Sequence, residues 1–318
     1  MYMFTNKKII LLIIMVMLVI SFSACSPVNE KQEEQPQEPQ QATNETTYPL
    51  TITDSHNREV NIESEPTKIV SVAPNITETI FALEESEKLI GRTDFCDYPE
   101  KVKNIESIGS LTEPNIEKIA DLKPDLIIAS THFNEDVLKK LEELGLKVIV
   151  LYGEESFDGV YDVIGKIGKI LNAKSKADKI ISDMKVKVTN VQEKVKDVAR
   201  PSVYYVVGFG EYGDFTAGKD TFINQMIEIA GGKNAADDVE GWKYSLERLI
   251  EKDPDILICS MSGNEKEQII SANGYKDLTA VKEGKLFEID KNLLERQGPR
   301  LADGIEALAK IIHPELFK

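Results

Sequence analysis

The sequence predicts an α/β protein of two similar lobes, each with a mainly parallel sheet, joined by one long rigid helix. Three observations predict it. A helix–strand unit is written twice, as PNIEKIADLKPDLIIAS from Pro114 to Ser130 and, 130 positions later, as YSLERLIEKDPDILICS from Tyr244 to Ser260. Strand-like and helix-like segments alternate, the strands short and apolar throughout, which is the pattern of a parallel sheet covered on both faces. Between the two copies lies the most helical stretch, whose second helix would be roughly 36 Å long, about the length of a small domain.

Both copies share one grammar. A capping residue (Asn115, Ser245) precedes a glutamate by two places (Glu117, Glu247), a short amphipathic helix follows, and a Pro-Asp pair (Pro124-Asp125, Pro254-Asp255) stops it before an apolar strand. Proline cannot continue a helix and biases the residue before it toward extended geometry, so helix, stop and strand are legible.

Ahead of the first copy, Leu50 to Ile62 alternates around the turn Asp54-Ser55-His56-Asn57 as a β-hairpin. Lys68 to Ala73 is a strand ended by Pro74, and Asn75 to Leu83 carries Ile76, Ile80 and Leu83 at helical spacing. Leu89 to Gly91 is a strand leading into the loop Thr93 to Pro99. After the first copy, a helix from Glu135 to Leu144 stops at Gly145, and a strand from Lys147 to Leu151 closes the first lobe. Phe157, Val160, Tyr161, Ile164, Ile167 and Leu171 form one helical stripe. Ser175 with Asp178 reads as a capping box for the next helix, whose stripe runs from Ile180 to Val198. The second lobe holds a strand Val203 to Val207, a loop rich in glycine and aromatics from Gly208 to Phe215, and a helix Thr221 to Ala230. The second repeat copy, a strand Leu286 to Ile289, the loop Asp290 to Gly298 and a helix Arg300 to Ile312 complete it. The expected boundaries are 50–156 for the first lobe, 157–199 for the connecting helices and 200–318 for the second lobe.

The amino terminus stands apart. Lys7 and Lys8 precede twelve apolar residues, Ile9 to Ile20. A membrane span takes about 20, so residues 1–24 read as a secretory signal. The run Ser21-Phe22-Ser23-Ala24-Cys25 resembles a bacterial lipoprotein signal, which implies cleavage before Cys25, lipid on its sulfur, and anchoring on the extracytoplasmic face of the cell membrane. From Ser26 to Pro49, 14 of 24 residues are Gln, Glu or Pro. Such a stretch cannot bury enough apolar surface to fold, so 25–49 reads as a lipidated cysteine and a disordered tether. The formal charge is −16; setting Lys7 and Lys8 aside makes it −18, of which the tether carries −4 and the body −14. That excludes nucleic acid as a partner and argues against adsorption to anionic lipid.

No catalytic constellation emerges. Gly208, Gly210 and Gly213 have the G-x-G-x-x-G spacing but open no helix, so a dinucleotide site is unsupported. His56, His132 and His313 are scattered, with no metal-ligand spacing, and no serine sits in a nucleophile elbow. Cys96 and Cys259 fall in different lobes, either stapling them or, in preference, both free. No catalytic residue, metal or cofactor is therefore expected. Ligands of open α/β sheets bind beyond the carboxyl ends of the strands. The loops there hold Asn75, Phe95, His132, Phe209, Tyr212, Trp242, Asn292 and Arg296. This set suits a large, flat, partly apolar ligand with polar edges, although each aromatic has packing within or between the lobes as its alternative.

The runs Ile69 to Leu83 (IVSVAPNITETIFAL), Asp94-Phe-Cys-Asp-Tyr-Pro99, Pro114 to Glu117, Leu122 to Asp125, Phe215 to Lys219 and Arg296 to Gly304 (RQGPRLADG) resemble substrate-binding lipoproteins of the metal-chelate ABC importers. The likeness is strongest to the vitamin B12 (cobalamin) branch, and it covers Thr51 to Lys318. The resemblance implies two Rossmann-like lobes that move little, a ligand cleft between the lobes, a monomer, and a corrinoid or similar chelate held there as transported ligand rather than cofactor. It also implies that Trp242 and Phe95 flank the corrin, that the segment around Asn292 and Arg296 reaches its edge, and that Glu117 and Glu247 dock on the importer's permease dimer. Leu111 and Ser130 stand where tryptophan occurs in some cobalamin binders, and Phe95 replaces a tyrosine. Haem or a ferric siderophore is the alternative ligand. An extracellular chelate-processing enzyme on the same fold is the alternative of another class.

Overall fold

A computed structural model of the protein describes residues 45–261 and 263–318. The expected signal 1–24, Cys25 and most of the tether lie outside the described residues.

The amino-terminal lobe opens with the hairpin β1 (Leu50–Thr53) and β2 (Glu59–Ile62), with Leu50 opposite Ile62. Its parallel sheet consists of β3 (Ile69–Ser71), β4 (Leu89–Arg92), β5 (Leu126–Ala129) and β6 (Val148–Val150), in the order β4-β3-β5-β6. Helices α1 (Pro74–Ala82), α2 (Ile116–Leu122) and α3 (Glu135–Glu143) connect the strands. The hairpin turn covers the open edge of β6. The Ser55 amide donates to the Val150 carbonyl at 2.9 Å, and the buried Asp54 carboxylate accepts from the Val150 amide at 3.3 Å.

Two helices then lead to the second lobe, α4 (Phe157–Ile170) and α5 (Lys174–Val195). α5 is the expected strut, about 33 Å long at 1.5 Å per residue. The Ser175–Asp178 capping box is corrected: the helix begins two residues earlier, at Lys174 with Ala173 as cap, and Asp178 instead accepts from Lys174 Nζ one turn back at 2.6 Å. The carboxyl-terminal lobe runs β7 (Ser202–Val206), β8 (Asp214–Phe215), α6 (Phe222–Ile229), β9 (Lys233–Asn234) and β10 (Lys243–Tyr244). It continues with α7 (Leu246–Lys252), β11 (Ile256–Ser260), α8 (Glu265–Ser271) and α9 (Thr279–Lys282). β12 (Leu286–Ile289), α10 (Asn292–Glu295) and α11 (Leu301–Ile312) end it. Its sheet order is β12-β11-β7-β9. Taken from the other edge, this is the order of the first sheet, with β4, β3, β5 and β6 answering to β9, β7, β11 and β12.

The repeat accounts for that likeness. α2 and α7 each end on a left-handed residue, Lys123 at φ +49° and Asp253 at φ +38°, before the Pro-Asp pair. The aspartate then ties its strand to the one beside it. Asp125 Oδ2 accepts from the Thr67 amide (2.9 Å), the Thr67 hydroxyl (2.7 Å) and the Lys68 amide (3.0 Å) at the start of β3. Asp255 Oδ2 accepts from the Ser202 amide and hydroxyl, both at 2.7 Å, at the start of β7.

Side chains alternate across a strand, and here the alternation sorts them between cores. Ile69, Leu126 and Ile128 from the first sheet, and Val203, Tyr205, Ile256 and Ile258 from the second, all join one cluster. Ile164 and Ile167 of α4, Met184 and Val188 of α5, and Leu308 of α11 belong to the same cluster. The other faces form separate clusters, Val70, Ile127 and Ala129 in one lobe and Tyr204, Val206 and Leu257 in the other. The inner faces of both sheets thus share one core with the connecting helices, so the lobes are not hinged on a thin linker.

The end of the expected tether is held. The Thr46 amide donates to Asn172 Oδ1 (2.7 Å), the Thr46 hydroxyl to the Lys169 carbonyl (2.8 Å) and the Tyr48 hydroxyl to the Ile170 carbonyl (2.8 Å). This turn between α4 and α5 lies by the amino ends of the strands, where Asn172 Nδ2 reaches Glu65 (3.0 Å) and Lys88 Nζ reaches the Leu171 carbonyl (3.0 Å).

Candidate functional site

All eight expected ligand residues lie beyond the carboxyl ends of the parallel strands, six in loops, Asn75 in the first turn of α1 and Asn292 at the start of α10. The structure divides them into groups. Trp242, 44% exposed, stands just before β10, with its carbonyl accepting from the Thr216 amide at 2.8 Å. It lines a cavity of about 350 Å³ with Glu155, Val207, Phe222, Ile223, Leu294, Glu295 and Gln297. Phe222 is held edge-on by Phe157, ring centroids 5.2 Å apart. The Glu155 carboxylate meets the Phe222 amide at the start of α6, at 3.3 Å, and its carbonyl accepts from Gln225 Nε2 at 2.7 Å. The loop leaving the first lobe is therefore fastened to a helix of the second, at the cavity wall.

A second group lies beside it. Asn75 Nδ2 donates to the Ser130 hydroxyl (3.2 Å) and to the Gln297 carbonyl (3.4 Å), so it bridges the lobes next to a cavity-lining residue. Phe95 stands 57% exposed on its loop, and Tyr98 three places on is also exposed. Arg296, expected to reach a ligand edge, completes this group. Its guanidinium turns inward to Glu78 (2.8 Å), Asp97 (2.6 Å) and the Phe95 carbonyl (3.2 Å). Arg300 joins through two bonds to Glu78, each 2.8 Å, and lies 3.9 Å over the Tyr98 ring. Burial would raise the Asp97 carboxyl, but Arg296 beside it holds it below the usual range. Burial would lower both arginines, but Asp97 and Glu78 raise Arg296, and Glu78 raises Arg300.

The other four stand apart from these groups. Phe209 packs on Tyr275 at 5.6 Å, against the second lobe's own core, which is its expected alternative. Tyr212 is 88% exposed at the tip of its loop. His132 is exposed on a left-handed turn (φ +64°), while its neighbour Phe133 is buried in the first lobe. Asn292 opens α10, its amide donating to Asp290 Oδ1 at 3.0 Å. α10 rests on α11 where only glycine fits, since a Cβ at Gly304 would lie 2.2 Å from the Leu293 carbonyl. Ser130 bonds Asn75 as above, and Leu111 packs on the shared core.

Glu78, Arg300, Gln297, Glu155 and Phe222 are the residues that sequence reasoning missed. Arg300 was legible within the Gly-Pro-Arg motif. Glu78 carried no signal, since it lies opposite the apolar stripe of α1 and would ordinarily face water.

Glu117 and Glu247 each occupy the second position of a helix, α2 and α7, and both are exposed. Asn115 Oδ1 accepts from the Lys118 amide, and Ser245 Oγ accepts from the Arg248 amide and donates to Glu247. Among the described residues neither carboxylate is ion-paired. Cys96 and Cys259 are free thiols, both buried. Among the described residues no helix is long and apolar enough to cross a membrane, and no cluster of histidine, cysteine and carboxylate could hold a metal ion.

The comparisons with known proteins bear on these loops. An uncharacterized ABC transporter substrate-binding lipoprotein, YvrC, of Bacillus subtilis (strain 168) is 36% identical over 278 residues, covering 85% of this chain and 88% of that protein. A cobalamin-binding protein of Halobacterium salinarum is 27% identical over 285 residues, covering 86% of this chain and 76% of its own. Among solved structures, a possible iron-binding (periplasmic solute-binding) protein from Staphylococcus epidermidis ATCC 12228 is 31% identical with a TM-score of 0.70, covering 79% of this chain and 100% of that one. The model of the periplasmic binding proteins matches residues 69–293. That match runs from the first strand of the amino-terminal sheet into the loop that carries the cavity's last wall, and the chain belongs to the periplasmic binding protein family, whose members bind substrates rather than transform them.

Proposed function

We propose that this chain is a lipid-anchored, extracytoplasmic substrate-binding protein that captures cobalamin or a related corrinoid and hands it to an ABC importer. Three features support the importer: the kinship with a transporter-associated lipoprotein, the lipoprotein-like signal ending at Cys25, and the two exposed glutamates at matching positions of the repeat.

The observation that carries the corrinoid is the chemistry of the cavity by Trp242. Its walls are apolar through Val207, Phe222, Ile223 and Leu294, and its polar groups are Gln297 and the carboxylates of Glu155 and Glu295. The two arginines of the adjoining loop are committed to Glu78, Asp97 and each other's neighbours, so they offer no ready guanidinium to a bound anion. A corrin carries neutral amide side chains around its rim, which donate hydrogen bonds to carboxylates and to a glutamine oxygen. Haem propionates would meet like charge there. The haem reading draws on a different observation, the exposed His132 and Tyr212 in loops beyond the carboxyl ends of the strands, both of residue types that ligate iron.

Trp242 is the only tryptophan, so its fluorescence reports on the cavity. Titrating the full chain in detergent with cyanocobalamin should quench Trp242 saturably at one equivalent and leave the ligand chemically unchanged. Saturation by haem with no response to cobalamin would overturn the corrinoid reading.

A further inference from the structure

Two motifs of the sequence, the Asn-Ile-Thr-Glu run ending at Glu78 and the Arg296-Gln-Gly-Pro-Arg300 run, meet across the lobes. Glu78 is buried in α1, its side chain 3% exposed, and accepts three guanidinium bonds, one from Arg296 and two from Arg300, all at 2.8 Å. A planar guanidinium fork on a shielded carboxylate is among the stronger pairings a protein makes, and its geometry is directional. Arg296 does more than close this pair. The same side chain spans Glu78, Asp97 and the Phe95 carbonyl, and Arg300 stacks beneath Tyr98. The Phe95–Tyr98 loop is therefore held, at the Phe95 carbonyl and at the Tyr98 ring, by arginines that belong to the opposite lobe.

The geometry points to Arg296 as a positioning residue: through its bonds to Asp97 and the Phe95 carbonyl, and with Glu78 as its buried anchor, it holds the aromatic loop of the first lobe at a set height over the cleft before any ligand arrives. The role divides between the two arginines. Without Arg296, Glu78 keeps both bonds to Arg300 and the lobes stay joined, but Asp97 and the Phe95 carbonyl lose their partner. The loop then keeps Arg300 against Tyr98 but loses its tie at Asp97 and the Phe95 carbonyl. A ligand that needs Phe95 must reorder it on binding, and immobilising the side chains of such a loop costs affinity, here about tenfold. The affinity part rests on the cleft being the binding site; the loop-holding part does not.

The test compares wild-type full chain in detergent with Arg296→Met, using two readouts. Without ligand, amide hydrogen exchange at Asp94 and Cys96, whose amides donate to Gly109 and Thr93, should quicken at least tenfold, while β7 keeps its protection. Cyanocobalamin titration should show a Kd about tenfold weaker, with Arg296→Lys restoring only part, since an ammonium on a flexible stem cannot reproduce the fork. If Arg296→Met does not fold, Asp97→Ala removes the acceptor from the loop side and should quicken the same amides by a smaller factor. Unchanged exchange in a folded Arg296→Met or Asp97→Ala chain overturns the positioning role, whatever ligand binds. Quickened exchange upholds it even where wild-type protein ignores cobalamin, in which case the corrinoid reading alone fails.

Discussion

The aspartates of the repeated Pro-Asp pair should be matched structural ties, and each can be cut separately. Asp125 accepts three hydrogen bonds at the start of β3, and Asp255 accepts two at the start of β7. Bonds to a charged acceptor contribute roughly 1.5–3 kcal/mol each where shielded. Both carboxylates are exposed, and solvent reduces that sharply, so each Asp→Ala change should cost about 1.5 kcal/mol in total. The sites sit in different lobes and share no partner, so the double variant should lose about 3 kcal/mol. Urea denaturation of the compact unit Asn44–Lys318 measures this. The acid limb gives a second check. Burial would raise the Asp125 carboxyl, but Thr67 and Lys68 hold it below 3.8, and the Ser202 amide and hydroxyl do the same for Asp255. A carboxyl lowered in the folded state adds stability that is present above its unfolded value and lost as pH falls through its folded value. Wild-type and variant stabilities should therefore converge in acid. Losses within about 0.5 kcal/mol of zero at neutral pH, the scatter of ordinary surface changes, would refute the reasoning.

Two further outcomes follow from the surface and the core. Reversing both exposed helix-start charges, Glu117→Arg with Glu247→Arg, should abolish uptake in cells carrying the cognate importer while the cyanocobalamin Kd stays unchanged; normal uptake would remove the docking role. Burial pushes the Cys259 thiol up to about 11, and Cys96 is likewise enclosed. Neither should react with an aromatic disulfide reagent in the native unit Asn44–Lys318, and both should react in urea; a rapid native thiol would show an opening absent from the structure.

Much of the architecture was legible because it rests on short-range chemistry. Pro124 and Pro254 announce their strands, Gly145 ends α3 at φ +75°, and the apolar stripes of α4 and α5 mark the connection. Two-residue strands such as β8, β9 and β10 carry no periodicity, and they were missed. The site was legible as a set of loops, because position at the carboxyl end of a strand follows from topology alone. Its inner arrangement was not. Glu78 lies opposite the stripe of Ile76 and Ile80, yet five consecutive residues of α1, from Ile76 to Ile80, are buried, because the second lobe covers the far side of the helix. Arg296 reads equally well as a ligand contact and as a partner for a carboxylate some two hundred positions away. Only the fold shows which carboxylates it meets.

The anchorage of Thr46 and Tyr48 at the turn between α4 and α5 has a mechanical consequence. The chain is moored at the amino ends of the strands, while the cleft and the two helix-start glutamates lie at the carboxyl ends. α4, about 21 Å long, runs the distance between those levels. In the proposed arrangement, anchored through Cys25 with the cleft turned toward the membrane, the body would hang from its far side, and the leash would have to span the full height of the body to reach the bilayer. The twenty steps from Cys25 to Glu45 reach at most about 70 Å, and half as many would leave about 35 Å, little beyond the body itself. The length of that leader-proximal segment, more than its composition, then sets which way the protein can face.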